Sequence, residues 1–232
     1  MEIVLDRNPF PPQVSDLLKE LCRIGFFPHG LLIGSWPMLI YTLHFTLPYG
    51  FATNDVDFAV HGAMKIPSAS VREEIPELLE RLGYEPITDY DTGIETFVQG
   101  TFEVEFIGHR RGGGSKPAAV VHPWKVSAQL LPFIDLLFIR PCTAKIEDFL
   151  ITIPSPETFF LHKLLVARRR SGSDKEWKRA KDLQQCRALS EVVREEEIRR
   201  ILGEYRMSKG VKKDVVDSCA DIGFTPPVWP QR

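Results

Sequence analysis

Long hydrophobic runs are missing from this chain. No apolar stretch in its 232 residues reaches the roughly 18 needed to cross a bilayer, so no membrane anchor is expected. The first residues, MEIVLDRNPFPP, lack a basic region followed by an apolar one, and no secretory signal is visible in them. Cysteine is sparse too. Cys22, Cys142, Cys186 and Cys219 lie far apart, with no CxxC pair and no neighbouring His. That argues against a zinc site and for reduced thiols in a cytoplasmic protein. Repeats and low-complexity segments are absent. So is a Walker motif: the glycine-rich loop HRRGGGSKP at 109–117 follows its Lys116 with Pro117 rather than Ser or Thr. That leaves Arg110–Lys116 as a basic hairpin tip whose arginines could touch a polyanion.

What is present is the composition of a folded globular protein, 44% hydrophobic and 10% aromatic. The length allows one large domain or two small ones. The net charge of −2 conceals a strong asymmetry. Residues 1–162 hold 12 Lys/Arg against 20 Asp/Glu, a net of −8, and residues 163–213 hold 16 against 8, a net of +8. Such a basic stretch either faces a polyanion or is a solvated helical surface laced with i,i+4 ion pairs, as Arg194-Glu-Glu-Glu-Ile-Arg-Arg200 suggests.

Periodicity predicts an amphipathic helix over 12–24, with Val14, Leu17, Leu18, Leu21 and Ile24 on one face and Gly25 as its stop. A short strand at 30–33 runs into Gly34-Ser35, a helix over about 36–45 follows, and 55–60 reads as a strand. Ser70–Leu82 predicts a helix interrupted by Pro76. Alternation predicts strands near 84–88, 94–99 and 102–108, the last two forming a hairpin at Gly100-Thr101. The apolar runs 132–140 and 145–153 read as two further strands. From Pro156 onward the pattern is helical throughout. Strands first and helices afterwards predict an α+β chain: an α/β-type N-terminal lobe at 1–154, with a mixed sheet flanked by helices, then a helical lobe at 155–232.

The most informative stretch is GSWPMLIYTLHFTLPYGFATNDVDFAV, from Gly34 to Val60. Residues i and i+2 of a strand share a face, so Asp55 and Asp57 present two carboxylates side by side. Two such groups repel unless a cation or proton compensates. Hard oxygen ligands suit Mg²⁺, or Mn²⁺, together with substrate phosphates. A Gly-Ser turn ahead of a helix offers backbone N–H groups and a hydroxyl to a phosphate. Together these parts describe metal-assisted transfer from a nucleoside triphosphate. The plainer alternative makes Asp55 a strand cap and Asp57 a solvent-facing edge residue. Trp36, Tyr41 and His44 are open to base stacking, or to core packing at their helical spacing.

With Gly34-Ser35 followed by NDVDFAV, the sequence resembles the nucleotidyltransferase superfamily that includes polymerase β and the CCA-adding enzymes. The later segments ITIPSPETFFLHKLLVARRR and KRAKDLQQCRAL resemble a bacterial nucleotidyltransferase-fold family with Pro-x-Pro…His-Lys-Leu and Lys-Asp-Leu-x-Gln patterns. The resemblance covers roughly residues 25–190. It implies a third carboxylate on a neighbouring strand, expected in GTFEVEFIGH, where Glu103 and Glu105 share a face. Glu105 is the expected residue, since Phe106-Ile107 follows it, although the family more often carries Asp there. Asp135 is the alternative. The resemblance thus implies Asp55, Asp57 and Glu105 as catalytic and metal-binding residues, with Gly34, Ser35, Lys163 and Lys181 for the nucleotide. Lys163 has a second reading, lying along the apolar helix face of Phe159, Phe160 and Leu164, and Lys181 has one in local pairing with Asp182. His162 reads as an interface histidine.

The expected function is transfer of an NMP from an NTP to a hydroxyl, with the basic segment leaning towards RNA, tRNA included, as acceptor. A non-catalytic nucleotide- or partner-binding module of the same fold, antitoxin-like or regulatory, is the rival. Such a module should lack a usable third acid beside Asp55 and Asp57.

Overall fold

The computed structural model describes residues 2–27, 29–61, 73–110, 116–122, 124–170, 172 and 175–229. The chain opens on a short strand, β1 (Glu2–Leu5), and helix α1 (Pro12–Arg23), whose buried Val14, Leu17, Leu18 and Leu21 form the apolar stripe anticipated from spacing. Next come β2 (Gly30–Leu32), α2 (Trp36–Phe45) and β3 (Asp55–Val60). Helix α3 (Ile75–Arg81) is shorter than the predicted 70–82, because Pro76 sits in its first turn, where no N–H is needed, rather than inside it. Residues 70–72 lie outside the described residues. The strands β4 (Glu85–Asp89), β5 (Ile94–Gln99) and β6 (Phe102–His109) follow as expected, with Gly100 at positive φ in the hairpin turn.

Two strands not anticipated from sequence, β7 (Ala118–Val121) and β8 (Val126–Leu131), form a hairpin beside β6. The run 132–140 is not a strand. Phe133 adopts a left-handed conformation and starts a one-turn helix, α4 (Ile134–Leu137), which buries Ile134, Leu136 and Leu137. The run 145–153 is likewise broken, into β9 (Cys142–Ile146) and β10 (Phe149–Ile153), because Glu147 turns the chain at positive φ. Four helices complete the described chain: α5 (Pro156–Arg169), α6 (Glu176–Leu189), α7 (Glu195–Glu204) and α8 (Lys209–Ile222).

The result is a mixed α+β fold. The large sheet runs β2-β3-β6-β5-β4, with β8 and β7 joined to β6, and a second sheet runs β1-β9-β10. β6 is the hinge of this layout: its first half pairs with β5 and its second half with β8 along one edge, while the other edge pairs with β3. The apolar faces of β3 and β6 carry Val56, Phe58, Val104 and Phe106, all buried, with Phe58 and Phe106 stacked 5.4 Å apart. Buried residues from either side of residue 154 belong to one continuous core, into which α5 inserts Phe159, Phe160 and Leu164. Tyr41 crosses that join, donating its hydroxyl to the carbonyl of Pro154. The four cysteines are free thiols, and burial pushes Cys22, Cys142 and Cys219 up to about 12.

Candidate active site

β3 and β6 run parallel, in a register that sets Asp55 opposite Glu103 and Asp57 opposite Glu105. Since alternate residues share a face, all four carboxylates project from the side of the sheet opposite the phenylalanine core. The strand is held from its flank. The amide of Ile33 donates to the carbonyl of Asp57 at 2.8 Å, and the indole N–H of Trp36 donates to the carbonyl of Asp55 at 2.8 Å. Trp36 is therefore a core residue that fixes the acidic strand. Tyr41 is equally buried, and His44 stands exposed near the end of α2 without lining the cleft. None of the three is a base-stacking surface.

Gly34 occupies the left-handed region at φ +69°, and a Cβ built there would overlap Oδ2 of Asp57. Only glycine lets the turn lie against that carboxylate. Ser35 follows as the residue preceding α2; it is buried and makes no capping bond with its side chain. Its hydroxyl instead accepts from Nε2 of Gln185 on α6, at 3.4 Å, and the same amide donates to the Tyr49 hydroxyl at 3.1 Å.

These groups line one cleft of about 560 Å³, between the acidic face of the sheet and helices α5 and α6. Gly34, Ser35, Asp55, Asp57, Glu103 and Glu105 form one wall, and His162, Lys163, Lys175, Trp177, Lys178 and Lys181 belong to the other. Asp135 is not part of it. Its Oδ1 accepts the Tyr205 hydroxyl at 2.9 Å and lies 3.1 Å from Nδ1 of His109. The loop residues 111–115 lie outside the described residues.

The crowding has electrostatic consequences. Burial, then the neighbouring Glu105 and Asp55, pushes the Asp57 carboxyl up to about 7, against the pull of Lys163 and Lys181. Burial likewise raises Glu105; a hydrogen bond from the Thr96 hydroxyl opposes the shift, and repulsion from Asp55 and Glu103 adds to it. Lys181 is lowered by burial and by Lys163 beside it. Lys163 is less free than its place in the motif suggests. It is buried, its Nζ donates to Asp182 at 2.9 Å, and Arg170 holds the other oxygen of Asp182 at 2.6 Å. Burial alone would raise Asp182, but these two cations hold it below the usual carboxylate range. His162 is kept neutral down to about 3 by burial and by Lys163, which suits an interface histidine.

Elsewhere in the basic segment, arginines are matched to acids. Arg168 and Arg179 bond Asp217 and Asp221, Arg169 bonds Asp214, and Arg199 and Arg200 pair along α7 with Glu195 and Glu196. Much of the +8 is thus a solvated, laced surface. Lys175, Lys178 and Lys181 make no ion pair among the described residues and line the cleft.

Among the described residues, no three His, Cys, Asp or Glu side chains stand in an arrangement that could hold a metal ion. The donor chemistry nevertheless suits a hard cation: burial, with repulsion from Glu105 and Asp55 added, pushes the Asp57 carboxyl up to about 7.

Residues 12–208 match the family model described as Nucleotidyltransferase. The chain belongs to the nucleotidyltransferase family. No curated protein matches it. Among solved structures, it is similar to an antigenic nucleotidyltransferase-like protein from Paracoccidioides brasiliensis, with 16% identity and a TM-score of 0.42, over 90% of this chain and 84% of that one. A tRNA nucleotidyltransferase complexed with a primer tRNA and an incoming ATP analog is more distant, with 11% identity and a TM-score of 0.27, over 89% and 60%. No described helix is long and apolar enough to cross a membrane.

Proposed function

We propose that the cleft transfers a nucleoside monophosphate from an NTP to a hydroxyl, with Mg²⁺ or Mn²⁺ that Asp55, Asp57 and Glu105, not gathered into a metal site on their own, would hold together with the substrate phosphates. The observation that carries this reading is the parallel register of β3 and β6, which sets Asp55, Asp57, Glu103 and Glu105 along one wall of the cleft that Lys178 and Lys181 also line. The metal, when bound, supplies charge neutralisation at the transferring phosphate and its leaving pyrophosphate.

The protein's own groups do the rest. The Gly34-Ser35 turn presents backbone N–H groups at the start of α2, where the helix dipole favours a phosphate. Because Gln185 donates to the Ser35 oxygen, the Ser35 proton is left to donate elsewhere. Lys181 and Lys178 set positive charge along the triphosphate path, as flexible point charges suited to phosphate. A carboxylate of this acidic face is placed to take the proton of the acceptor hydroxyl. The acceptor class that the remaining cleft lysines favour is polyanionic, which keeps RNA as the working choice.

Incubation with each labelled NTP, Mg²⁺ or Mn²⁺, and total cellular RNA tests the proposal. Metal-dependent labelling of RNA is the expected result. Labelling of protein or a small molecule would move the acceptor. Nucleotide binding with no transfer to any acceptor would favour a non-catalytic module.

A further inference from the structure

Trp177 stands apart from the buried tryptophans of the core. Trp36 and Trp124 are 1% exposed, whereas Trp177 is 58% exposed on the wall of the acidic cleft. Leaving an indole in water forfeits its large apolar burial, and Trp177 contributes nothing to the core. Its setting is not that of a stray surface residue. On α6, Trp177, Lys178, Lys181, Asp182 and Gln185 recur at helical spacing, and the first four line the cleft. Gln185, at the inner end of this row, touches Ser35 at the phosphate turn. Trp177 is eight residues earlier, about 12 Å along the helix axis at 1.5 Å per residue. The row therefore runs from the phosphate turn, past two lysines with no carboxylate partner among the described residues, to an open aromatic ring.

Lys178 adds a second feature. Its ammonium stands 5.4 Å from the Trp177 ring centroid, so a cation lies against the indole and within reach of the same cleft. No other aromatic ring packs against Trp177 among the described residues. A ring with open area, adjoining cations and a channel of acids and lysines has the chemistry that recognises a base joined to phosphate: stacking for the base, point charges for the backbone.

We propose that Trp177 is a stacking platform for an unpaired nucleobase brought into the cleft. This rests on the nucleotidyl-transfer reading and extends it. The base is either that of the NTP or the terminal base of a single-stranded RNA acceptor, and both present the same π face to the indole. Stacking is tolerant of sequence, so the platform gives affinity for any base rather than selection among them.

The test compares wild type, Trp177→Ala and Trp177→Phe in binding to ATP, GTP, CTP and UTP, to inorganic tripolyphosphate, and to a short single-stranded oligoribonucleotide with and without its 3′-terminal base. Each variant's melting temperature is measured alongside, and an exposed position should leave it near wild type. If the platform holds the NTP base, Trp177→Ala weakens NTP binding on the order of tenfold. Tripolyphosphate binding stays as it was, and Trp177→Phe recovers much of the loss. If it holds the acceptor base, the loss appears with the complete oligoribonucleotide and vanishes with the one lacking its terminal base. Equal affinity of wild type and Trp177→Ala for both ligands overturns the proposal while leaving nucleotidyl transfer standing. An equal loss for tripolyphosphate also overturns it, since the effect would then not involve a base. A wild-type protein that binds neither NTP nor RNA defeats the underlying reading as well.

Discussion

Asp57 of β3 stands directly opposite Glu105 of β6 across a parallel strand pair, and both carboxylates face the cleft rather than the core. Among the described residues neither is paired with a cation by a direct bond, and the bond that reaches this pair comes from the Thr96 hydroxyl to Glu105, at 3.4 Å. A crowded acidic pair of this kind stores repulsion that a proton or a metal ion relieves.

Burial of Asp57, with this repulsion added, makes stability depend on pH with a definite sign. Folding raises the Asp57 carboxyl from its ordinary 3.8 to about 7, so between those values the folded state holds a proton that the unfolded state has released. Stability from this group therefore falls as pH rises, with no penalty below 3.8 and the full penalty above about 7. Thermal melts of wild type and Asp57→Asn in chelator, taken across that range, check this. Wild type should lose ground to the variant as pH rises. A constant difference between the two would remove this account of the Asp57 carboxyl.

Two lysines on facing helices separate structure from binding. Lys163 is buried against Asp182, and removing one member of a buried pair leaves its partner uncompensated, at a cost of about 3–5 kcal/mol. Arg170 still serves Asp182, so Lys163→Met should fall at the lower end of that range. Lys181 has no such partner among the described residues. Lys181→Met should melt close to wild type and bind NTP severalfold more weakly. Denaturant titration with nucleotide binding on the same samples checks both, and a reversed pattern would exchange the two roles.

Gly34→Ala tests the turn. The new methyl group would meet Oδ2 of Asp57 from a backbone at φ +69°. A cost of at least ~1 kcal/mol for the backbone is expected, with further loss from the displaced carboxylate. Metal-dependent transfer should fall more than stability does. An alanine variant with normal stability and activity would mean that the turn relaxes and that its contact with Asp57 is unimportant.

The strand pair behind these predictions was readable in the sequence because its signals are local. Alternation in Asp55–Val60 and Phe102–His109 fixes which residues share a face, and the hairpin at Gly100-Thr101 marks the second strand's start. Less legible were elements defined by distant partners. β1 is four residues long and pairs with β9 across most of the chain, and β7 and β8 carry Ala, Ser and Gln rather than a β-branched pattern. The run 132–140 is apolar without period, and one left-handed residue, Phe133, decides that it turns into a helix. At the site, the motif carrying Lys163 was visible but its burial against Asp182 was not, since that depends on how α5 meets α6. Trp177 gave no signal at all: one aromatic residue in the charged run DKEWKR looks like solvent-facing surface until the cleft is seen.

Asp57→Asn is the most direct test of metal-dependent transfer at this site. The amide keeps the shape of the side chain and removes one charge from the crowded set, so the apo protein should melt at or slightly above the wild-type temperature. Transfer of label from an NTP in Mg²⁺ should fall by orders of magnitude, because the lost ligand acts where charge develops in the transition state. A folded Asp57→Asn protein that transfers label at the wild-type rate, with the same dependence on metal, would contradict the assignment of Asp55, Asp57 and Glu105 as the catalytic centre.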